Sequence, residues 1–127
     1  MGRIGEVERL PRRREPDALT RRAVQAVARQ LSERYDVQQL IFFGSRARST
    51  HTADSDADLA VLLSGAPQDR FDAVRDMAAV AFDVLMETSI LVQAVPLWAE
   101  ELAHPERTAN PALIRNILHD GLRLEEL

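Results

Sequence analysis

The stretch that decides the fold of this chain reads Gly44-Ser45-Arg46-Ala47-Arg48-Ser49-Thr50-His51-Thr52-Ala53-Asp54-Ser55-Asp56-Ala57-Asp58-Leu59. A Gly-Ser turn stands ten residues ahead of an Asp-x-Asp pair, with residues 46 to 55 between them. Because side chains alternate along a strand, Asp56 and Asp58 point to one side and Ala57 points away. The two carboxylates therefore offer hard oxygen ligands to one divalent cation.

The Gly-Ser half of the motif is typical of a phosphate-binding turn. A glycine after a buried strand lets the backbone turn tightly beside a ligand, and Ser45 can then begin a short helix whose unpaired amide groups face an anion. Arg46 and Arg48 supply guanidinium groups for charge-assisted contacts with triphosphate oxygens. Either half alone is most often a plain turn or a solvated loop. At this spacing, with a strand on each side, the combination favours a site for a metal-bound nucleoside triphosphate.

The composition limits the size of the domain and the chemistry of the site. With 127 residues and 46% apolar content, the chain can bury one core, which predicts a single compact domain without room for a second catalytic domain. There is no cysteine, so thiolate metal sites and a cysteine nucleophile are excluded. All sixteen basic residues are arginine, which excludes a lysine-based phosphate site and leaves cationic phosphate contacts to arginine.

The charge is distributed unevenly along the chain. Residues 1–22 carry seven arginines against four acids, or +3, and the total of −4 then leaves −7 for residues 23–127. An acidic body disfavours nucleic-acid binding. The basic segment 1–16 is interpreted as a solvated approach to the first helix or as a disordered tail. No run reaches the roughly 20 apolar residues that a membrane span needs, so we expect a soluble, cytoplasmic protein with no membrane partner.

The periodicity of apolar residues predicts a small α/β or α+β domain, with one sheet of three or more strands and helices packed on it. An amphipathic helix is expected after an Asp17 cap up to about Tyr35, and a second helix over the repeat from Phe71 to Leu85. A last helix is expected between Asn110 and Gly121. The predicted strands are Val37 to Phe43, Asp58 to Leu63, and Thr88 to Leu97 with an end or bulge at Pro96.

The motif is similar to the signature of the DNA polymerase beta-like nucleotidyltransferase superfamily, and in particular of its minimal nucleotidyltransferases. The resemblance rests on Phe42-Phe43-Gly44-Ser45-Arg46-Ala47-Arg48 followed by Ser55-Asp56-Ala57-Asp58-Leu59-Ala60-Val61. It is specific over residues 40–63 and extends in element order over about 18–122, so the domain is assigned to residues 17–127. One departure is Ser49, where members of the superfamily often have glycine.

The resemblance implies an Mg²⁺-dependent enzyme that transfers a nucleoside monophosphate, AMP from ATP in many members, to a hydroxyl acceptor. Asp56 and Asp58 would be the catalytic metal ligands, and Gly44, Ser45, Arg46 and Arg48 would hold the nucleotide. Many minimal members are antitoxins that bind a HEPN-type toxin or add AMP to it, so the implied partner is such a toxin. A homo-oligomer stays open.

A third carboxylate that the superfamily usually has is missing from the expected strand. That acid normally helps to activate the acceptor hydroxyl and to hold a second metal. The expected position falls near Leu91, and its neighbours Ile90, Val92 and Gln93 are not acidic. Glu87 could replace it only if the chain bends back. The alternative to an enzyme is therefore a weak or inactive nucleotide-binding antitoxin that acts by forming a complex.

Overall fold

The computed structural model describes residues 17–48, 50–52, 54–67 and 69–124. The basic segment expected over residues 1–16 lies outside the described residues. The elements are α1 (Ala18–Arg34), β1 (Val37–Phe43), α2 (Ser45–Arg48), β2 (Ala57–Leu63), α3 (Arg70–Thr88), β3 (Val92–Trp98), α4 (Ala99–Ala103), a 3-10 turn (Pro105–Arg107), α5 (Pro111–Asp120) and β4 (Leu122–Arg123). None of the helices in these ranges has the length and apolar content to cross a bilayer.

The strands form one mixed sheet in the order β3-β2-β1-β4, which confirms the predicted class. β1 runs antiparallel to both β2 and β4, whereas β2 and β3 run parallel. The parallel connection is made by α3, as a crossover between parallel strands requires. In consequence, the end of β1 and the beginnings of β2 and β3 lie at the same end of the sheet.

Each face of the sheet is covered by its own helices. On one face, Leu40, Phe42, Leu59 and Val61 belong to a core that includes residues of α1 and α3. On the other face, alternate residues such as Ile41 and Ala60 pack with Ile114 and Ile117 of α5. Since Asp58 precedes Ala60 by two residues, its side chain lies on the α5 face of the sheet.

Two of the predicted helix starts are confirmed by their caps. The Asp17 carboxylate accepts a hydrogen bond from the amide of Thr20 at 2.9 Å, and the Asn110 side chain accepts one from the amide of Leu113 at 3.2 Å. Such caps satisfy amide groups that have no partner within the helix. At the far end of α1, the Tyr35 hydroxyl donates to Asp76 at 2.7 Å and ties α1 to α3.

The third strand begins later than the prediction from Thr88. Helix α3 continues to Thr88, whose hydroxyl bonds the Val84 carbonyl at 2.7 Å, and Ser89 then ends the helix with a left-handed φ of 63°. The strand also passes through Pro96 and ends at Trp98. A proline is tolerated there because β3 is an edge strand, where one side of the backbone needs no partner strand.

The short strand β4 was missed by the sequence analysis, which ended the last element at Gly121. Leu122 and Arg123 pair with Phe42 and Ile41 on the outer side of β1. Two residues are too few to give a periodic sequence pattern, so this strand can be recognised only from its pairing with β1.

Candidate functional site

The predicted site residues meet at the end of the sheet where β1 stops and β2 begins. Phe43 pairs with Asp58 across these antiparallel strands, so Gly44 and Ser45 follow directly beside the Asp-x-Asp pair. Ala57 is completely buried, and its amide donates to the carbonyl of Leu91 at 2.9 Å. This anchors the backbone between the two aspartates, and both aspartate side chains are partly exposed.

Gly44 cannot carry a side chain in this arrangement, for two reasons. Its φ is +85°, a conformation that residues with a β carbon rarely adopt. A β carbon at this position would also overlap Oδ2 of Asp58 and lie 3.1 Å from its carboxyl carbon. The turn and the carboxylate are thus in direct contact, and the predicted pairing of the two half-motifs is present in the structure.

The two carboxylates of the pair repel each other in a partly buried position. Partial burial raises the pKa of Asp58, the neighbouring Asp56 raises it further, and Arg48 acts in the opposite direction. Two carboxylates in a partly buried position are stabilised by a divalent cation, and their oxygens suit Mg²⁺. No group of three or more His, Cys, Asp or Glu side chains in the described ranges could hold a metal ion.

Gln93 is the side chain that β3 brings to the aspartate pair. In the parallel register Gln93 pairs with Asp58, and its amide nitrogen lies 2.6 Å from Oδ2 of Asp56. Leu91, near which the third carboxylate was expected, precedes β3 and contributes its carbonyl group to the Ala57 amide. The position of a third carboxylate therefore stays a prediction, and the residue that contacts the pair is an amide two residues after Leu91.

Arg46 has a different role from the predicted phosphate contact. Its side chain is only 5% exposed, and the guanidinium donates to the Ser55 carbonyl at 2.9 Å and to the Thr20 hydroxyl at 2.8 Å. The Asp17 carboxylate lies 3.9 Å away. Arg46 therefore fastens the segment before Asp56 to the beginning of α1. The sequence shows two arginines two residues apart and gives no sign of which one is buried.

Arg48 and Ser45 remain at the candidate site. The Arg48 side chain is 49% exposed, and its guanidinium lies 3.4 Å from the Asp120 carboxylate at the end of α5. Its charge also acts on Asp58. Ser45 begins α2, and the first amide groups of a helix have no acceptor within it. Asp120 is a contributor to the site that sequence reasoning missed, because it lies 72 residues from its partner.

Comparison with protein families agrees with this arrangement. The family model described as a nucleotidyltransferase domain matches residues 24–120, which include β1, the turn, the Asp-x-Asp pair and α5. No curated protein sequence gives a significant match.

Solved structures show the same fold at low sequence identity. A chain from a toxin–antitoxin structure with AMP-PNP is 20% identical, with a TM-score of 0.53 over 78% of this chain and 69% of that one. A chain from a complex of MNT antitoxin with a tri-AMPylated HEPN toxin of Shewanella oneidensis is 18% identical, with a TM-score of 0.51 over 82% and 70%. A chain from the toxin–antitoxin pair MntA–HpeT is 19% identical, with a TM-score of 0.52 over 82% and 69%. At these identities the likeness establishes the fold.

Substituting Gly44 tests the contact between the turn and Asp58. Gly44→Ala should lower the free energy of unfolding by about 3 kcal/mol or more, because the backbone strain adds to the overlap with the carboxylate. Gly65→Ala is the matched control, since Gly65 has a φ of +82° and open space where a β carbon would be. It should cost only the backbone strain of about 1–2 kcal/mol. Urea unfolding of both variants measures the difference, and equal losses would contradict the close approach.

Substituting the two arginines distinguishes their roles. Arg46→Met should cost about 2–3 kcal/mol of unfolding free energy, because it removes charged donors from the Thr20 hydroxyl and the Ser55 carbonyl. Arg48→Met should cost less than about 1 kcal/mol, as expected for a half-exposed ion pair. The same urea experiment measures both. An Arg46→Met variant as stable as Arg48→Met would show that Arg46 does not fasten this segment.

Proposed function

This chain belongs to the nucleotidyltransferase domain family, and we propose that it transfers AMP from ATP to a hydroxyl group on a partner protein. The observation that carries the proposal is the contact of the Gly44 turn with Asp58, which places a phosphate-binding turn directly against two carboxylates. The activity of the family is nucleotidyl transfer, and a phosphate-binding turn beside two carboxylates supports that activity for this chain. The proposal adds to this family activity that the nucleotide is ATP, that the cation is Mg²⁺ and that the acceptor is a hydroxyl group.

Each site residue has a defined task in binding the triphosphate. The Gly44 turn lets the chain approach the phosphates closely, and the Ser45 hydroxyl and the first amides of α2 donate hydrogen bonds to them. Arg48 adds a positive charge near the phosphate oxygens. Asp56 and Asp58 would hold Mg²⁺, which would supply positive charge to neutralise the negative charge that develops on the phosphate oxygens. Arg46 acts indirectly, by fixing the segment that leads into Asp56.

In the transfer itself, the acceptor hydroxyl oxygen forms a bond to the α phosphorus of ATP. At the same time, the bond from that phosphorus to the oxygen that bridges the α and β phosphates breaks. Pyrophosphate leaves, and the hydroxyl proton passes to water, because Asp56 and Asp58 are assigned to the cation. The carboxylate pair would position the α phosphate through the cation that it holds, so its contribution would be positioning and charge stabilisation. Gln93 cannot accept the proton, because an amide is not a base at neutral pH.

The proposed partner is a HEPN-type toxin. Two of the structurally similar chains come from structures described as a toxin–antitoxin with AMP-PNP and as an MNT antitoxin with a tri-AMPylated HEPN toxin. In those proteins the partner is a toxin, so a toxin is the class of acceptor that we propose to test for this chain. The product of the neighbouring gene is the first candidate, in particular if it is a short helical protein.

A second function is favoured by Gln93. The side chain that contacts Asp56 from β3 is an amide, whereas a carboxylate there could accept the hydroxyl proton and help to hold a second metal. A chain with this substitution can bind a metal-bound triphosphate while transferring its nucleotide slowly or not at all. It would then act as an antitoxin by forming a complex, and the aspartate pair would be dispensable for protection.

Labelled ATP tests the proposed transfer. ATP labelled at the α phosphate should label the neighbouring gene's product in the presence of Mg²⁺, whereas ATP labelled at the γ phosphate should not, because pyrophosphate leaves. Asp58→Asn should reduce labelling at least about hundredfold, since the cation loses one of its two carboxylates. Asp54→Asn is the matched control, an exposed acid in the same loop that should retain the wild-type rate. Absence of α label, or equal labelling by Asp58→Asn, would contradict the enzyme.

Gln93→Glu distinguishes a slow enzyme from a binder. If the amide limits transfer, the new carboxylate should raise the labelling rate by about tenfold or more. In EDTA it should lower the melting temperature by adding a third negative charge beside Asp56, and Mg²⁺ should then raise that temperature more than in the wild type. Gln38→Glu, exposed on β1, is the control. If Gln93→Glu responds to Mg²⁺ but transfers nothing, while Asp58→Asn still protects cells, complex formation is the function.

A further inference from the structure

The outer side of α3 carries an apolar stripe that no other described element covers, although Arg75 of the same helix lies over it, 5.2 Å from the centre of the Phe71 ring. Four of the five large apolar side chains exposed in the described ranges belong to this one helix, with exposures of 71% for Phe71, 57% for Phe82 and 65% for Met86. Residues three or four positions apart lie on the same side of a helix, and positions 71, 74, 78, 82 and 86 follow this spacing. We define the α3 stripe as Phe71, Val74, Ala78, Phe82 and Met86. An exposed apolar surface of this kind marks an interaction site.

The stripe extends along the molecule toward the candidate site. Residues 71 to 86 span about 22 Å of helix at 1.5 Å per residue. The C-terminal end of α3 is followed by β3, which brings Gln93 to Asp56. Arg70 at the beginning of α3 donates to the Pro96 carbonyl of the edge strand β3 at 2.7 Å. The C-terminal end of the stripe lies at the end of the sheet where β2 and β3 begin, and α3 packs on the face opposite to the one that carries the Asp58 side chain. A protein lying on the stripe would therefore have to extend around this end of the sheet to contact Asp56 and Asp58.

The negative charges beside the stripe favour a partner with positively charged side chains. Asp83 and Glu87 flank Phe82 and Met86, and neither has an ion pair within the described part of the chain. The last turn of α3 contains no basic residue. Acids near a helix C-terminus are unfavourable because the helix dipole is negative there. A cation from a bound partner would relieve this repulsion.

The first turn of α3, where the stripe begins, is also acidic. A cavity of about 350 Å³ lies beside this turn, with Asp36, Asp69 and Asp72 among the residues that line it, and no residue of the α3 stripe lines it. Arg75 neutralises one of these charges, since its guanidinium lies 3.0 Å from Asp72. The remaining walls include the aromatic side chains of Tyr35 and Trp98. Carboxylates beside apolar walls suit a guanidinium or ammonium group on an aliphatic stem.

We propose that the α3 stripe docks an amphipathic helix of a partner protein, whose apolar face is bordered by Arg or Lys side chains. Identifying that partner as the acceptor of the nucleotide rests on the proposed function, but the docking does not. A second copy of this chain does not fit, because two-fold pairing of α3 helices would bring acidic flanks together at both ends. A helix with basic flanks matches the apolar and the acidic parts of the surface together.

Photo-crosslinking identifies what covers the stripe. The full chain carrying p-benzoylphenylalanine at position 82 is irradiated in cells of the source organism, with position 112 on α5 as the control. We expect position 82 to join a second protein, through a peptide with apolar residues at helical spacing and flanking Arg or Lys. Cross-links to another copy, to residues 1–16 of the same chain, or to an acidic peptide would overturn the proposal. So would a yield no higher than that at position 112.

Variants of the stripe then measure the docking with the purified partner. Phe82→Glu and Met86→Glu should each weaken binding about tenfold or more, because each side chain is an apolar anchor. Ala112→Glu introduces the same charge on the other face of the sheet and should stay within about twofold of the wild type. Asp83→Lys should weaken binding most at low salt, where charge attraction is least screened. Wild-type affinity in both stripe variants would overturn the docking surface.

The two proposals can fail separately in these experiments. Asp58→Asn should bind the partner as the wild type does and transfer no nucleotide to it. If the stripe variants lose binding while the wild type transfers nothing, the docking surface stands and the proposed transfer fails. If transfer is present and unaffected by Phe82→Glu and Met86→Glu, the transfer stands and the docking surface fails.

Discussion

The close approach of Gly44 to Asp58 is the constraint on which the candidate site depends. Because Phe43 pairs with Asp58, the chain must leave β1 at the point where the carboxylate stands, and only a residue without a β carbon can do so at a φ of +85°. The turn and the aspartate pair are thereby fixed relative to one another by the sheet. A phosphate held by the turn and a cation held by the pair would then be neighbours without any movement of the backbone.

This arrangement costs stability that a ligand can restore. Burial and the charge of Asp56 raise the pKa of Asp58, so the folded protein holds an ionised Asp58 less favourably than the unfolded chain does at neutral pH. A raised pKa favours folding as the pH falls, and the gain disappears as the pH rises through the raised value. A divalent cation bound at the pair, as proposed, would remove the same repulsion at neutral pH.

Sequence reasoning succeeded where a feature depends on local backbone and failed where it depends on distant contacts. Gly44, Ser45 and the Asp-x-Asp pair could be predicted, since a turn and an alternating strand impose residue types at fixed spacing. The positions of Arg46 and Gln93 could not. The burial of Arg46 is decided by Thr20, 26 residues earlier, and the contact of Gln93 is decided by the parallel register with β2. No local sequence pattern predicts the burial of Arg46 or the contact of Gln93.

Gln93 and the α3 stripe together bear on how such a site could transfer a nucleotide. Without a third carboxylate, the site loses a base that would activate the acceptor hydroxyl, and the contribution left to the protein is to hold that hydroxyl against the α phosphate. The α3 stripe ends at the same end of the sheet as the site, on the opposite face, so a protein docked there would reach the site around that end. Binding energy gained along α3, remote from the reacting atoms, could then be used to orient the acceptor. In a two-carboxylate site, the docking surface would decide both which protein is modified and how fast.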